Sequence, residues 1–558
     1  MARRGRLEQA KTLAEAGTLR RAELSQRQVA KQLGVARSTL QGWNARAAAS
    51  DCPPALAQFL ESPEGVQWLH RQVIAAHFAI TLLGGAGVRV VCQFLELSGL
   101  AQFVAASYGT QQGLNAALEE ALGHYAREQR AQLAKGMPYR EITVCEDETY
   151  HPEICLVGLE PVSNFILLEQ YAKDRSAATW TQALEAALQG LAVGVNQGTS
   201  DEAKGLLGHV QKQLGAHHSP DLFHVQHEVA KAISLPLARQ ADQAESEVAQ
   251  AQAHLEGQRQ ARSAYQRQPQ RPRGRPPAFD QRVKQALGEL VQAERGCEQA
   301  QARQVEGREI VRELAAAYHP YDLNTGQPQP PERVAERFQD CWKRLHQLAE
   351  ETDLPERARQ RLEKARRVTT QLIATIGFFF ATVQARIEAL SLAPDLETAL
   401  YQHLIPAIYL DRVADRSTHA KQRQQLRTLS ARLLAPLRQP EHPLNRLAVQ
   451  EREHLEQLAG ECADLFQRSS SCVEGRNGQL ALHHHGRHRL SERKLTALTA
   501  VHNYFIRRPD ATTAAERFFR RPPDPLFERL LQLLPPPPRP ARKRPRAPKP
   551  SYLLPVAA

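Results

Sequence analysis

The stretch Glu141-Ile-Thr-Val-Cys-Glu-Asp-Glu-Thr-Tyr150 sets three carboxylates, Glu146, Asp147 and Glu148, at the end of an alternating apolar run. Like charges so spaced repel, and each raises its neighbour's pKa, so a nearby cation would make the arrangement tolerable. Two readings follow: a solvated turn after a strand, or a metal centre of the nuclease kind with Asp147 as its first ligand. A second acid, Asp201, follows the apolar Val193-Gly-Val195. A third, Glu474, falls in the first turn of a helix that Ser469–Ser471 can cap. His224 is a candidate for positioning a phosphate or a metal-bound water; the alternative is a hydrogen-bonded structural histidine.

The elements that must position these groups can be read in order. Ile142–Cys145, Ile154–Leu159 and Asn164–Glu169 are short apolar runs separated by turn residues, and they predict three strands in a meander. Ala177–Leu191, with Trp180, Leu184, Ala187 and Leu188 at helical spacing, predicts an amphipathic helix. Val193–Val195 predicts a fourth strand, Glu202–Leu214 a helix, and Ser219–His224 a short fifth strand leading into a helix Val225–Leu235. Strand alternation turns Glu146 and Glu148 away from the side that Asp147 faces. From there to about residue 467 the pattern is helical. Val225–Glu256 and Arg282–Ala316 predict two long antiparallel arms, joined by an open Arg-, Gln- and Pro-rich loop over 258–277.

Three strands, helix, strand, helix, strand is the order of the ribonuclease-H-like fold, whose first and fourth strands carry acids where Asp147 and Asp201 fall. The segments Thr199-Ser-Asp201, Asp221-Leu-Phe-His224 and Ser471-Cys-Val-Glu-Gly-Arg-Asn477 complete the pattern. Over about residues 140–505 the chain resembles the DDE transposases of bacterial insertion sequences. The resemblance implies an α+β, predominantly helical protein: an N-terminal helix-turn-helix and a ribonuclease-H-like core on a mixed five-stranded sheet, interrupted by a long α-helical insertion. It also implies that Asp147, Asp201 and Glu474 are the catalytic and metal-binding triad. Asp147 would bridge two Mg²⁺ (or Mn²⁺) ions roughly 3.5–4 Å apart, which stabilise the attacking and leaving oxygens. Water would attack first and free a 3′-OH, which then attacks target DNA. One large branch of the family brackets its Glu with Arg and Lys; here Ser470 and Ala481 hold those positions. Positive charge would then come from Arg476 or Arg487, and Arg476 is a candidate DNA contact.

Ahead of this region Ser25 caps a helix with Val29, Ala30 and Leu33 on one face, Gly34 gives a tight turn, and Leu40 and Trp43 lie on a second helix. This helix-turn-helix pattern resembles the N-terminal readers of transposases and resolvase-like proteins, with Arg37, Ser38, Thr39 and Gln41 as major-groove contacts. Arg271-Pro-Arg-Gly-Arg-Pro276 contains the Arg-Gly-Arg-Pro core of minor-groove AT-hooks, making Arg273 and Arg275 candidate contacts; otherwise it is a solvated linker. His483–His488 reads as a polar loop facing DNA. The expected organisation is a helix-turn-helix domain at 1–50, a second helical domain at 53–135 serving DNA binding or dimerisation, and the core's first part at 140–235. The helical insertion follows at 236–466, the final catalytic helix at 467–506 and an extension at 507–558. Its acid-free, Pro-rich stretch 535–550 is expected to be disordered and to bind phosphates without sequence choice.

Composition agrees with these readings. At 558 residues the chain should hold roughly three or four domains, and its net charge of +12 suits a polyanionic partner. Eight scattered cysteines without a Cys-x-x-Cys pair speak against a zinc ribbon and a secreted disulfide framework. The apolar runs Val73–Leu97 and Val368–Ile387 are too interrupted to span a bilayer and are expected to be buried helices. The expected protein is therefore cytoplasmic and nucleoid-associated, a homo-oligomer on element-end and target DNA, with no membrane partner. Alternatives are a non-catalytic DNA-binding regulator and a structure-specific nuclease of the same fold.

Overall fold

The computed structural model describes residues 5–47, 52–269, 274–275, 277–487 and 489–541. Helices α1 (Arg6–Arg21), α2 (Gln26–Gln32) and α3 (Arg37–Ala47) close over a small core of Ala16, Val29, Ala30, Leu40 and Trp43. Ser25 and Gln28 cap α2 reciprocally, and Gly34, at φ 61°, makes the turn a side chain would strain. Helices α4 (Pro54–Glu61), α5 (Pro63–His77), α6 (Val88–Leu97) and α7 (Tyr108–Ala134) follow. They do not form a domain apart. Leu118, Leu122 and Tyr125 of α7 share one core with Ile142, Val144 and Val157 of the sheet, and α7 packs against the helix Glu492–Tyr504, which itself lies on the sheet.

The sheet comprises β1 (Arg140–Tyr150), β2 (Ile154–Glu160), β3 (Phe165–Ala172), β4 (Val193–Ser200) and β5 (His217–Pro220), with α8 (Ala177–Leu188) before β4 and the short α9 (Lys204–Leu207) after it. Spatial order is β3-β2-β1-β4-β5: β1–β2 and β2–β3 are antiparallel, β1–β4 and β4–β5 parallel. The sheet is mixed, as expected, but β1 runs on through the acidic triplet to Tyr150, paired with β2 throughout. Asp147 lies opposite Val157 and Val157 opposite Glu169, so the three share a face. Glu146 and Glu148 lie opposite Gly158 and Leu156, on the other face, beneath α8. The turn reading of the triplet is thereby corrected: strand pairing, with partners for both flanking acids, carries the backbone through it.

Helices α10 (Leu222–Gln266) and α11 (Phe279–Ala317), of 45 and 39 residues, pair along their length. At 1.5 Å per residue they span roughly 68 and 58 Å. Helix α10 continues to Gln266 and α11 begins at Phe279, so the connection between the arms is shorter than the sequence suggested. The rest of the insertion is α12 (Pro331–Glu351), α13 (Glu356–Glu388), α14 (Pro394–Thr398), α15 (Ile405–Arg416), α16 (Ala420–Leu434) and α17 (Val449–Asp464). They bury a second core with Ile310, Trp342, Leu372, Phe379 and Phe466. Among the described residues α13 alone has the length and composition to cross a membrane. Its Leu372, Ile376, Phe379 and Val383 are buried in that core, and Phe378 stacks on His217 of β5 at 4.4 Å, covering the sheet edge.

Helices α18 (Ser471–Arg487) and α19 (Glu492–Tyr504) return to the first core through Val473, Leu480, Leu495 and Leu498. His483–Gly486 therefore belong to α18, not to a loop; His488 lies outside the described residues. Helices α20 (Ala514–Phe519) and α21 (Leu526–Leu533) precede the tail. Its beginning is packed, contrary to expectation: Arg6 Nη1 donates to Pro537 O at 3.0 Å, Ala105 N to Pro538 O at 2.8 Å, and Arg539 pairs with Glu61. Residues 542–558 lie outside the described residues.

Burial lowers the pKa of His70, His217 and His502 to about 4. A histidine depressed on folding leaves the unfolded chain holding more protons between pH 4 and 6.5, so stability is lost as pH falls through that window, by up to ~1.4 kcal/mol per pH unit and group. The melting temperature should drop steeply between pH 6.5 and 4; a flat profile would contradict the burial of these rings.

Candidate metal centre

Strand register brings the acids together. Cys145 of β1 pairs with Thr199 of β4, and Thr199 with Ser219 of β5. Asp147 lies two residues further along β1, and Asp201 and Asp221 directly follow the last residues of β4 and β5, so the three acids gather at the same end of three parallel neighbours. Helix α18 crosses this end. Asn477 Nδ2 donates to Asp147 Oδ2 at 2.8 Å, and Ser470, just ahead of α18, donates to Asp221 Oδ2 from Oγ at 2.7 Å and from its backbone N at 3.2 Å. The first turn of α18 thus carries Glu474 to these acids. Asp221, His224 and Glu474 bring one ligand atom each within 4.8 Å of one another.

Asp221 caps α10, its Oδ1 accepting from Phe223 N at 2.7 Å, so Asp221–His224 is a helix start and not the fifth strand the sequence suggested. One turn into α10, exposed His224 faces both acid groups: it lowers the pKa of Asp147 and of Glu474 against the pushes that raise them. Burial lifts the Asp147 carboxyl to about 6, with Asp201 and Glu148 adding to the lift. Glu474 is raised by burial and then by Asp221. Asp147 and Glu474 thus keep their protons to higher pH than ordinary carboxyls, and a divalent cation beside them would reverse that shift. The donor set fits one. It offers two carboxylates and an imidazole nitrogen whose ligand atoms already lie within 4.8 Å of one another.

Partners around these acids are accounted for on both faces. Glu146 is buried against His209, 3.1 Å away, and Trp180 Nε1 donates to Glu148 at 3.3 Å, so neither flanking acid turns toward the cluster. Arg476 is corrected as a DNA contact: it is buried, and its Nε and Nη2 donate to Glu169 of β3 at 2.7 and 2.6 Å. On α3, Arg37, Ser38 and Gln41 are exposed and Thr39 half-buried, and Gln41 Nε2 donates to Gln26 at 3.1 Å. Arg275 is exposed, whereas Arg273 lies outside the described residues. Sequence reasoning missed Asp221 as a side chain of the site, although an Asp directly ahead of a helical pattern is a cap signal. It also missed Glu169, whose polar side chain on the inward face of an apolar strand was the available cue.

Residues 400–546 match a family of unknown function, DUF6399, a stretch that includes Glu474 and Asn477 but none of the strand acids. No curated protein and no solved structure matches the chain.

Proposed function

We propose that the chain is a DNA transposase with a ribonuclease-H-like core, in which Asp147, Asp201 and Glu474 hold two Mg²⁺ or Mn²⁺ ions, with Asp221 and His224 beside them. The observation that carries this reading is the convergence of Glu474, from a helix beyond the whole insertion, on aspartates gathered at the same end of three parallel strands. Bound ions would supply Lewis-acid stabilisation of the attacking and leaving oxygens of a phosphodiester. The chain's own part is positional. Asn477 fixes one Asp147 oxygen and leaves the Glu148 amide to hold the other. Ser470 latches α18 to Asp221, and α3 of the N-terminal unit serves as the major-groove reader with Arg37, Ser38 and Thr39 outward. The work would be done by a homo-oligomer on element-end DNA.

The test is Mg²⁺-dependent cleavage and joining of the DNA ends that flank the gene, wild type against Asp147→Asn. Wild type should give both products and the variant neither. In EDTA the variant should melt higher, because a carboxyl raised from 3.8 to about 6 destabilises the fold increasingly as pH rises through that interval, and the amide carries no such charge. Cleavage without joining would mark a structure-specific nuclease, and equal inactivity of both proteins on true ends a DNA-binding regulator.

A further inference from the structure

At the far end of β1 from the acids a cleft of about 1640 Å³ separates the sheet from the helical insertion. Its walls are the start of β1, the β2–β3 turn, α13, α15, α17 and the segments just before α18 and α20. The acids that line it are engaged. Glu141 meets Arg386, Asp464 meets Arg412, Glu461 meets Arg520, Asp415 meets Arg427, Asp510 accepts from Thr512 and lies 3.9 Å from Arg517, and Glu160 accepts from the backbone of Val162 and Ser163. Four lining arginines have no carboxylate within ion-pairing distance among the described residues: Arg140, Arg416, Arg468 and Arg508. Arg140 donates to Phe518 O, Arg468 to Ala315 O and Arg508 to Val162 O, while exposed Arg416 makes no side-chain hydrogen bond among the described residues. Burial lowers the pKa of Arg468 and of Arg508, and the charge of Arg416 lowers both further while Asp510 offsets part of the shift at Arg508, so these three guanidiniums sit close together in a cleft lined by eight arginines and six acids.

We infer that this cleft binds the sugar–phosphate backbone of a single-stranded nucleic acid. Arginines without a carboxylate partner in a groove are what a phosphate chain neutralises. The volume exceeds the roughly 300–1,000 Å³ of a small-molecule pocket. Tyr139, 70% exposed at the rim, offers a face on which a base can stack. A duplex presents its phosphates on a broad convex surface and is read by protruding elements, whereas these arginines lie between two packed layers that only a strand can enter. The cleft also has a direction. Ser469 and Ser471 line it while buried Ser470 turns the other way to Asp221, so a strand lying in it abuts the segment directly behind Glu474. This site is independent of the acid cluster and stands whether or not that cluster cleaves DNA.

The test is fluorescence anisotropy of the full chain with a labelled oligothymidylate of about 16 nucleotides in EDTA, so that cleavage plays no part. Arg416→Glu with Arg508→Glu alters two exposed side chains, the second giving up one hydrogen bond to Val162 O, and should lower the melting temperature by no more than a few degrees. Affinity for the strand is expected to fall on the order of tenfold or more, with the slope of log K against log salt shallower by about 1.4, while a duplex of equal length binds as before. Unchanged strand affinity and slope would overturn the proposal. So would an equal loss for strand and duplex, which would make the cleft a duplex surface, or full competition by micromolar pyrophosphate at constant ionic strength, which would make it a small-anion pocket.

Discussion

Replacing Glu474 by Gln should slow metal-dependent strand cleavage by at least about 10³-fold, a loss of roughly 4 kcal/mol of transition-state stabilisation. The substitution keeps the shape and hydrogen-bonding capacity of the side chain and removes the charge an ion needs. The fold should survive it: Glu474 is raised in pKa by burial and by Asp221, so the amide relieves repulsion in the metal-free protein. Single-turnover rates on end DNA measure the first effect and thermal melting in EDTA the second. A rate within tenfold of wild type would remove Glu474 from the ligand set. Two neighbours give contrasting outcomes. Asp221→Asn also disturbs the latch to Ser470 and the cap on α10, so it should lower stability and rate together. His224→Ala, on an exposed position, should leave the fold intact and weaken Mn²⁺ more than Mg²⁺, because an imidazole nitrogen suits the softer ion.

The parts of the sequence that rest on local periodicity were legible. Alternating apolar residues gave the three meander strands, helical spacing around Trp180 and Leu184 gave α8, and Asp201 stands directly after β4 as expected. What failed depended on partners far along the chain. Three acids in succession looked like a turn because nothing local stabilises them in a strand. The stabilising groups are β2, His209 and Trp180, each brought there by folding. Leu222 and Phe223 made Asp221 look like strand, although one is buried in the insertion core and the other lies on the outer side of α10. The N-terminal helices 53–135 read as a domain because their own pattern is complete. That their apolar face continues the sheet's core appears only once α7 lies against α19, which packs on β3.

Arg476 shows the same limit with the largest energetic consequence. Beside a candidate metal-binding Glu and in a basic protein, an arginine reads as a phosphate contact. Its partner Glu169 is 307 positions away in the chain. The pair is almost wholly removed from solvent, at 5% and 0% side-chain exposure, and Glu169 stands in the same cross-strand row as Asp147. Arg476→Met should therefore cost about 3–5 kcal/mol, since it leaves a buried carboxylate without a counter-ion, as measured by chemical denaturation. It should also suppress cleavage, because α18 is held on the sheet by this fork and by Asn477 on Asp147. The double variant Glu169→Leu with Arg476→Met separates the two roles. A buried pair replaced by apolar groups of similar volume is commonly neutral for stability, so the double variant should regain most of what the single variant loses. Recovery of stability without recovery of cleavage would show that the fork sets the position of α18 to a tolerance apolar packing does not reproduce, and hence the distance from Glu474 to the aspartates. Recovery of both would reduce the pair to one way among several of filling that layer, and no recovery of either would place the contribution of Arg476 in contacts other than Glu169.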